Sequence, residues 1–128
     1  PLGFSREDIR ENNRRIALFA KTEKEKHDLI LIPVIAPFAE DRKASRKIIG
    51  EPFFEAFVDC SLNTCVERDM KGLYKEALGG RREKLIGMEG SLIPYEAPIS
   101  PDIIIKTGAT SLEKSVAQVT EFLETRGF

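Results

Sequence analysis

The chain is poor in the residues that build metal centres and disulfide frameworks, and its many charges nearly cancel. It has one histidine, two cysteines and almost no net charge, 20 lysines and arginines standing against 21 acids. A single histidine, His27, sits in a polar turn, and no histidine–cysteine metal cluster can be assembled around it. The two cysteines, Cys60 and Cys65, fall on either side of a strand-to-helix junction and read as free thiols of a reducing compartment. Balanced charge makes no global field to recruit nucleic acid or an anionic membrane, so neither is expected as a partner. The longest apolar run, residues 29–36, is far too short to span a bilayer. The opening residues, where Arg6, Glu7, Asp8 and Arg10 crowd together, do not read as a secretory or transit segment, and a cytoplasmic location is expected.

What is present suits a single domain over residues 1–128, with 41% apolar and 32% charged residues. Ser5 reads as the cap of a first helix, with Glu7 and Asp8 in its first turn where acids favour the helix dipole. Ile9, Ile16, Phe19 and Ala20 recur behind it at helical spacing, carrying the helix to about residue 25. Residues 29–35 are nearly all Leu, Ile and Val, the signature of a strand buried on both faces, although Pro33 costs a ladder hydrogen bond. A charged helix follows over 39–49, ending at Gly50, then a second buried strand over 53–58. Ser61 caps a third helix running to about Arg68. After a segment rich in glycine and cations to about residue 90 come three prolines (Pro94, Pro98, Pro101) and a short strand at 103–106. A final helix places Val116, Val119, Phe122 and Leu123 on one face. Helices alternating with buried strands predict an α/β fold with a parallel sheet, and no internal repeat is present.

Three places could carry chemistry. Residues 35–38, Ile-Ala-Pro-Phe, stand at the carboxyl end of the first strand, where open α/β sheets bind ligands; a plain proline turn would look the same. Residues 68–82 combine Arg68, Lys71, Lys75, Arg81 and Arg82 with Gly72, Gly79 and Gly80. That is the composition of a mobile cationic flap over phosphates, or of a solvated helix face with a glycine cap. Arg10 and Arg14, spaced i,i+4 beside Asn12 and Arg15, could grip a phosphate or sulfate, or form a wet helix surface.

The stretches GFSREDIRENNRRIA, IAPF, FVDCSLNTCVERDMKGLYKEA and PYEAP, in that order along nearly the whole chain, resemble the adenylylsulfate (APS) kinases. The resemblance implies a three-layer, parallel-sheet fold of the P-loop-kinase kind. It also implies transfer of the γ-phosphate of ATP, with Mg2+, to the 3′-hydroxyl of adenosine 5′-phosphosulfate. The product, 3′-phosphoadenosine 5′-phosphosulfate (PAPS), is the activated form of sulfate. By the same resemblance Phe4 borders the acceptor pocket and Asn12 contacts the acceptor. Ile35 and Ala36 receive it through their backbone, and Lys71, Gly72 and Leu73 belong to a lid over 68–90. Arg68 would lie near the ATP phosphates. A homodimer and a fusion to, or association with, ATP sulfurylase are arrangements the family also suggests.

The sequence departs from that family in four ways. It contains no G-x-x-x-x-G-K-[ST] loop to cradle ATP phosphates, and no D-G-D-N-x-R element. In the family the P-loop strand lies between the equivalents of strands 29–34 and 53–58. Without it those strands would face each other across a gap with unpaired backbone groups. This chain is therefore expected to be part of a larger polypeptide, incomplete at its amino-terminal side and inactive alone. Ala36 stands where the family usually has serine, which closes any phosphoserine route through this position and leaves no assigned catalytic residue. Leu85 and Ile86 replace a phenylalanine–threonine pair whose ring stacks on the acceptor adenine opposite Phe38 or Phe4, a loss of about 1 kcal/mol of base binding. Ile9 replaces an arginine. Two other readings follow: a non-catalytic, PAPS-binding regulatory domain like that ending fungal ATP sulfurylases, or a kinase of the same fold for another nucleotide-linked acceptor.

Overall fold

A computed structural model describes residues 1–128. The chain forms two compact units, one comprising Pro1–Phe53, Tyr95–Ala97 and Phe128, the other Phe54–Pro94 and Pro98–Gly127.

The first unit is a helix pair with an irregular connection. Helix α1 spans Arg6–Glu23 and starts as its sequence dictates, the Ser5 hydroxyl accepting from the Asp8 amide. A single 3-10 turn, Lys24–Lys26, ends it. Helix α2 spans Ala39–Ile49 and packs against α1. It stops at Gly50, whose φ of 77° lies in the region that favours glycine and whose amide donates to the Arg46 carbonyl. The buried stripe of α1 is Ile9, Asn13, Ala17 and Ala20. It runs beside the expected one: Ile9 and Ala20 are shared, Ile16 is half-buried and Phe19 is 68% exposed. Small side chains at Ala17 and Ala20 allow close packing here, and that decides which face turns inward.

The expected first strand does not form. Residues 29–35 belong to no helix or strand and make no backbone ladder, and Leu31 is 73% exposed. A strand exists only where a neighbour pairs its N–H and C=O groups, and no other segment of this unit does so.

The second unit carries the parallel sheet that the alternating pattern predicts. Strand β1, Ala56–Asp59, pairs in parallel with β2, Ile103–Lys106, in the register Ala56↔Ile103 to Asp59↔Lys106. The ladder begins at a clasp in which Glu55 and Asp102 exchange hydrogen bonds: the Glu55 amide donates to Asp102 Oδ2 (2.7 Å) and the Asp102 amide to the Glu55 carbonyl (2.9 Å). Strand β1 thus starts later than residue 53, while β2 falls where its sequence places it. Helices α3 (Leu62–Arg68), α4 (Leu73–Leu78) and α5 (Leu112–Glu124) complete the unit. Ser61 and Ser111 cap α3 and α5 by accepting from the amides of Thr64 and Lys114.

Helix α5 packs against β2, whose Ile103 and Ile105 are buried. The inward residue of α5's first turns is Ser115, not Val116, which is exposed. Ser115 bonds the Thr110 hydroxyl, in the turn after β2, at 2.9 Å and Gln118 donates to the Ile104 carbonyl of β2 at 2.8 Å, so polar links fix this face of the helix. Farther along, Phe122 meets Phe54 edge-on at 5.4 Å between ring centroids, with the Arg126 guanidinium over Phe122.

One buried group in α1 is unsatisfied. Asn13 is 4% exposed, and neither its amide nitrogen nor its oxygen has a hydrogen-bond partner. A polar group in that state costs about 1–3 kcal/mol. Asn13→Leu is therefore expected to stabilise the chain by about 1–2 kcal/mol in a urea melt; unchanged or reduced stability would show that the amide is satisfied in solution.

Candidate functional site

In the first unit the residues assigned to an acceptor nucleotide lie just ahead of α1, on α1 and on the turn into α2. Residues 35–38 enter α2 directly. Phe38 is the cap residue of α2 but has no side-chain oxygen to offer. Glu96 does that task from the PYEAP stretch: its carboxylate accepts from the Ala39 amide at 3.0 Å, and its own amide donates to the Pro37 carbonyl at 2.8 Å. Arg42, one turn into α2, donates to the carbonyls of Ala36 and Glu96, both at 2.7 Å, with Tyr95 beside its guanidinium. Pro37 is fully buried under this clasp. The amides of Ile35 and Ala36 make no hydrogen bond within the chain. The turn is thus fixed, with two backbone donors left over.

The two aromatic candidates separate. Phe4 is 78% exposed, ahead of the Ser5 cap, whereas Phe38 is 3% exposed with the Arg6 guanidinium 3.9 Å from its ring centre. The ring open to a flat ligand is Phe4. Asn12 lies on the exposed side of α1, next to buried Asn13.

The arginines of α1 are committed to carboxylates. Glu11 accepts from Arg14 Nε and Nη2 at 2.7 and 2.9 Å and from Arg15 at 2.8 Å. Hydrogen bonds from Arg14 and then Arg15 hold the Glu11 carboxyl down at about 2. Arg10 pairs with Asp41 at 3.3 Å and with Glu40 at 3.4 Å, and Arg6 joins Glu40 at 3.2 Å. The i,i+4 anion grip of Arg10 and Arg14 is therefore not what α1 presents; these charges tie α1 to α2 and to itself.

In the second unit, residues 68–82 are built around Asp69. Gly72 caps α4 with a φ of 68° and has no side chain to accept with. The Asp69 carboxylate reaches forward instead, taking the Tyr74 amide at 3.0 Å and the Lys75 amide at 2.9 Å. The Gly72 amide closes the turn onto the Asp69 carbonyl. An aspartate at a helix start also suits the dipole. Arg68 is anchored by donating to the Thr107 carbonyl at 2.8 Å, and Arg82 pairs with Glu76. Lys71, Lys75 and Arg81 carry no carboxylate partner and stand as available cations. Leu85 and Ile86 are half-buried in a turn closed by the Met88 amide donating to the Leu85 carbonyl. No three His, Cys, Asp or Glu side chains gather into a cation site. The groups available at 68–82 suit phosphate oxygens and do not suit a magnesium ion, whose ligands are oxygens.

The positioning residues Arg42, Glu96 and Asp69 carry no sequence signal of their own. For Asp69 one could have been found, since a helix that opens on glycine needs an acceptor from upstream. Arg42 and Glu96 are 54 positions apart, and only the fold brings them together.

An α/β chain with a parallel sheet, spare backbone amides ahead of α2 and unpartnered cations beside a glycine cap belongs among the nucleotide-kinase-like α/β proteins. The comparisons are specific within that class: residues 1–106 match the Adenylylsulphate kinase family, and the chain belongs to that family. An adenylyl-sulfate kinase of Acaryochloris marina is 46% identical over 98% of this chain and 60% of its own length. One from Bacillus pumilus is 41% identical over 96% and 61%. The solved structure of a Mycobacterium tuberculosis APS kinase in complex with AMPPNP and APS superposes with a TM-score of 0.86 at 36% identity, covering 96% of this chain and 70% of that one. The chain thus spans about 60% of the length of the curated relatives it matches.

Two outcomes follow from these contacts. Asp69→Ala is expected to cost about 1 kcal/mol by uncapping α4, seen as faster amide exchange at Tyr74 and Lys75; unchanged exchange would refute the cap. Glu11 is expected to titrate at about 2 by carboxyl NMR. Because its folded value is depressed, its contribution to stability is present above the ordinary glutamate range and is lost as pH falls toward about 2. Titration of Glu11 in the ordinary range would rule out the double arginine clamp.

Proposed function

We propose that this chain provides acceptor-binding and phosphate-neutralising parts of an adenylyl-sulfate kinase, the enzyme that moves the γ-phosphoryl group of ATP to the 3′-hydroxyl of adenosine 5′-phosphosulfate. The observation that carries the reading is the fixed turn at residues 35–38, where Arg42 and Glu96 hold the backbone while the Ile35 and Ala36 amides stay free. Such paired amides suit an anionic acceptor, as phosphate and sulfate oxygens take backbone donors readily.

On this reading Phe4 stacks on the adenine and Asn12 hydrogen-bonds the nucleotide. Lys71, Lys75 and Arg81 offset charge that develops as the phosphoryl group moves, and the turn at Gly72 sets where Lys71 and Leu73 are presented. ATP, when bound, supplies the phosphoryl group. Phosphoryl transfer depends chiefly on position and charge, so alanine at position 36 permits direct in-line transfer and excludes a phosphoserine there. Neither a Walker-type loop nor a magnesium-ligating cluster is present in these 128 residues, so this chain alone is expected to bind the acceptor without turning it over.

Calorimetric titration with adenosine 5′-phosphosulfate, and separately with 3′-phosphoadenosine 5′-phosphosulfate, tests the assignment. Binding is expected. Phe4→Ala should weaken it by about 1 kcal/mol, roughly fivefold, and Lys71→Ala by about tenfold through loss of a charged hydrogen bond. Leu85→Phe should tighten it by about 1 kcal/mol if this turn approaches the base. A cooperatively folded chain that gives no heat with either nucleotide would overturn the acceptor assignment. Unaltered affinity in Lys71→Ala would remove 68–82 from it.

A further inference from the structure

Cys60 and Cys65 have no part in the proposed transfer, yet their placement is specific. Ser61 is the cap of α3, so Cys60 precedes the cap and Cys65 is the fourth helical residue. Side chains at these two positions meet at a helix start, where an apolar pair ordinarily packs as a staple. Here the staple positions hold two thiols within electrostatic reach of each other. Both are half-buried and neither is bonded in a disulfide. A side chain grown on Gly108 would come 3.5 Å from Cys60 Sγ, which shows how closely the turn after β2 lies against that thiol. On the other side burial, and then the Cys65 sulfur, push the Tyr74 phenol of α4 up, so the two groups lie within electrostatic reach.

We propose that Cys60 and Cys65 form a dithiol modification site, oxidised to an internal disulfide by low-molecular-weight disulfides of the glutathione type. One protein thiolate attacks a sulfur of the small disulfide, its S–S bond breaks, and one small thiol leaves. The second protein thiol loses its proton and attacks the mixed disulfide, releasing the other small thiol. The protein pair gives up two electrons and two protons, and the small disulfide becomes two thiols. Burial pushes the Cys65 thiol up, with the Cys60 thiol adding to the effect. Cys65 is therefore the slower attacker at neutral pH and suits the second step. The closed loop is only a few residues long, so it constrains the unfolded chain little and the bond stays readily reducible. Oxidation removes the ionisable Cys65 thiol that acts on the Tyr74 phenol, so the modification reaches α4 and the Lys71–Lys75 stretch. This inference does not depend on which nucleotide the chain binds.

The test is treatment of the chain with oxidised glutathione, followed by intact mass and thiol counting. The expected product has lost the mass of two hydrogens, carries no glutathione, has no titratable thiol, and returns to the starting form with dithiothreitol. Cys60→Ser and Cys65→Ser should each retain one glutathione instead. A stable glutathione adduct on the unsubstituted chain would overturn the proposal, as would two persisting thiols or disulfide-linked dimers as the sole product. A second readout is the Tyr74 phenol, which burial and then the Cys65 sulfur push up. In Tyr95→Phe, oxidation should lower the pH at which the remaining near-ultraviolet phenol transition occurs. An unmoved transition would show that the bond, if formed, does not reach α4.

Discussion

The Glu96 carboxylate on the Ala39 amide is the contact on which the first unit's candidate site depends. Helix α2 begins on a phenylalanine that can accept nothing, so its first amides would otherwise be left to solvent just where the chain turns. Glu96 supplies the missing oxygen, and its backbone ties down Pro37. Arg42 then bridges Ala36 and Glu96. Two residues that contact no ligand in the proposed reading, Glu96 and Arg42, thus hold the turn that carries the Ile35 and Ala36 amides. Pre-set donors of this kind need no reorganisation when an anion arrives, which is why fixed dipoles count for more than mobile ones in phosphoryl chemistry.

The second unit repeats the device with different parts. Gly72 opens α4 with a left-handed φ and no side chain, and Asp69 provides the acceptor from three residues upstream. In both cases the cap residue is sacrificed for geometry: bulk that fills a buried position at Phe38, a sharp reversal at Gly72. A carboxylate from elsewhere restores the lost hydrogen bond. The arginines of α1 show the opposite arrangement. Glu11, Glu40 and Asp41 absorb them, whereas Lys71, Lys75 and Arg81 carry no carboxylate partner.

Local rules were legible in the sequence and long-range ones were not. Ser5, Ser61 and Ser111 cap helices because a short hydroxyl side chain reaches the third amide ahead, a matter of three residues. Gly50 ends α2 because only glycine relaxes into its φ. The strand at 103–106 fell in place because alternate isoleucines face α5. By contrast, residues 29–35 have every local attribute of a buried strand and form none, since a ladder is a property of two segments. The rotation of α1 was misjudged through Phe19, a large apolar residue that stays in solvent while Ala17 and Asn13 turn inward. In the candidate site Phe4 is exposed and Lys71 carries no carboxylate partner. The commitment of Arg10 to Asp41 and Glu40 could not be read, because its acceptors come from another helix.

The unpaired segment at 29–35 carries one more consequence, for handling and survival of the chain in solution. Seven residues rich in Leu, Ile and Val, with backbone donors and acceptors unused, offer pairing groups to which a like segment from another copy can add. Two features oppose it. Pro33 deletes one donor from the middle of the row, and Lys24, Glu25, Lys26 and Asp28 place a run of charge at one end, where gatekeeper residues act best. Colloidal stability of this chain therefore hangs on a proline and four charged residues that have no part in binding a nucleotide.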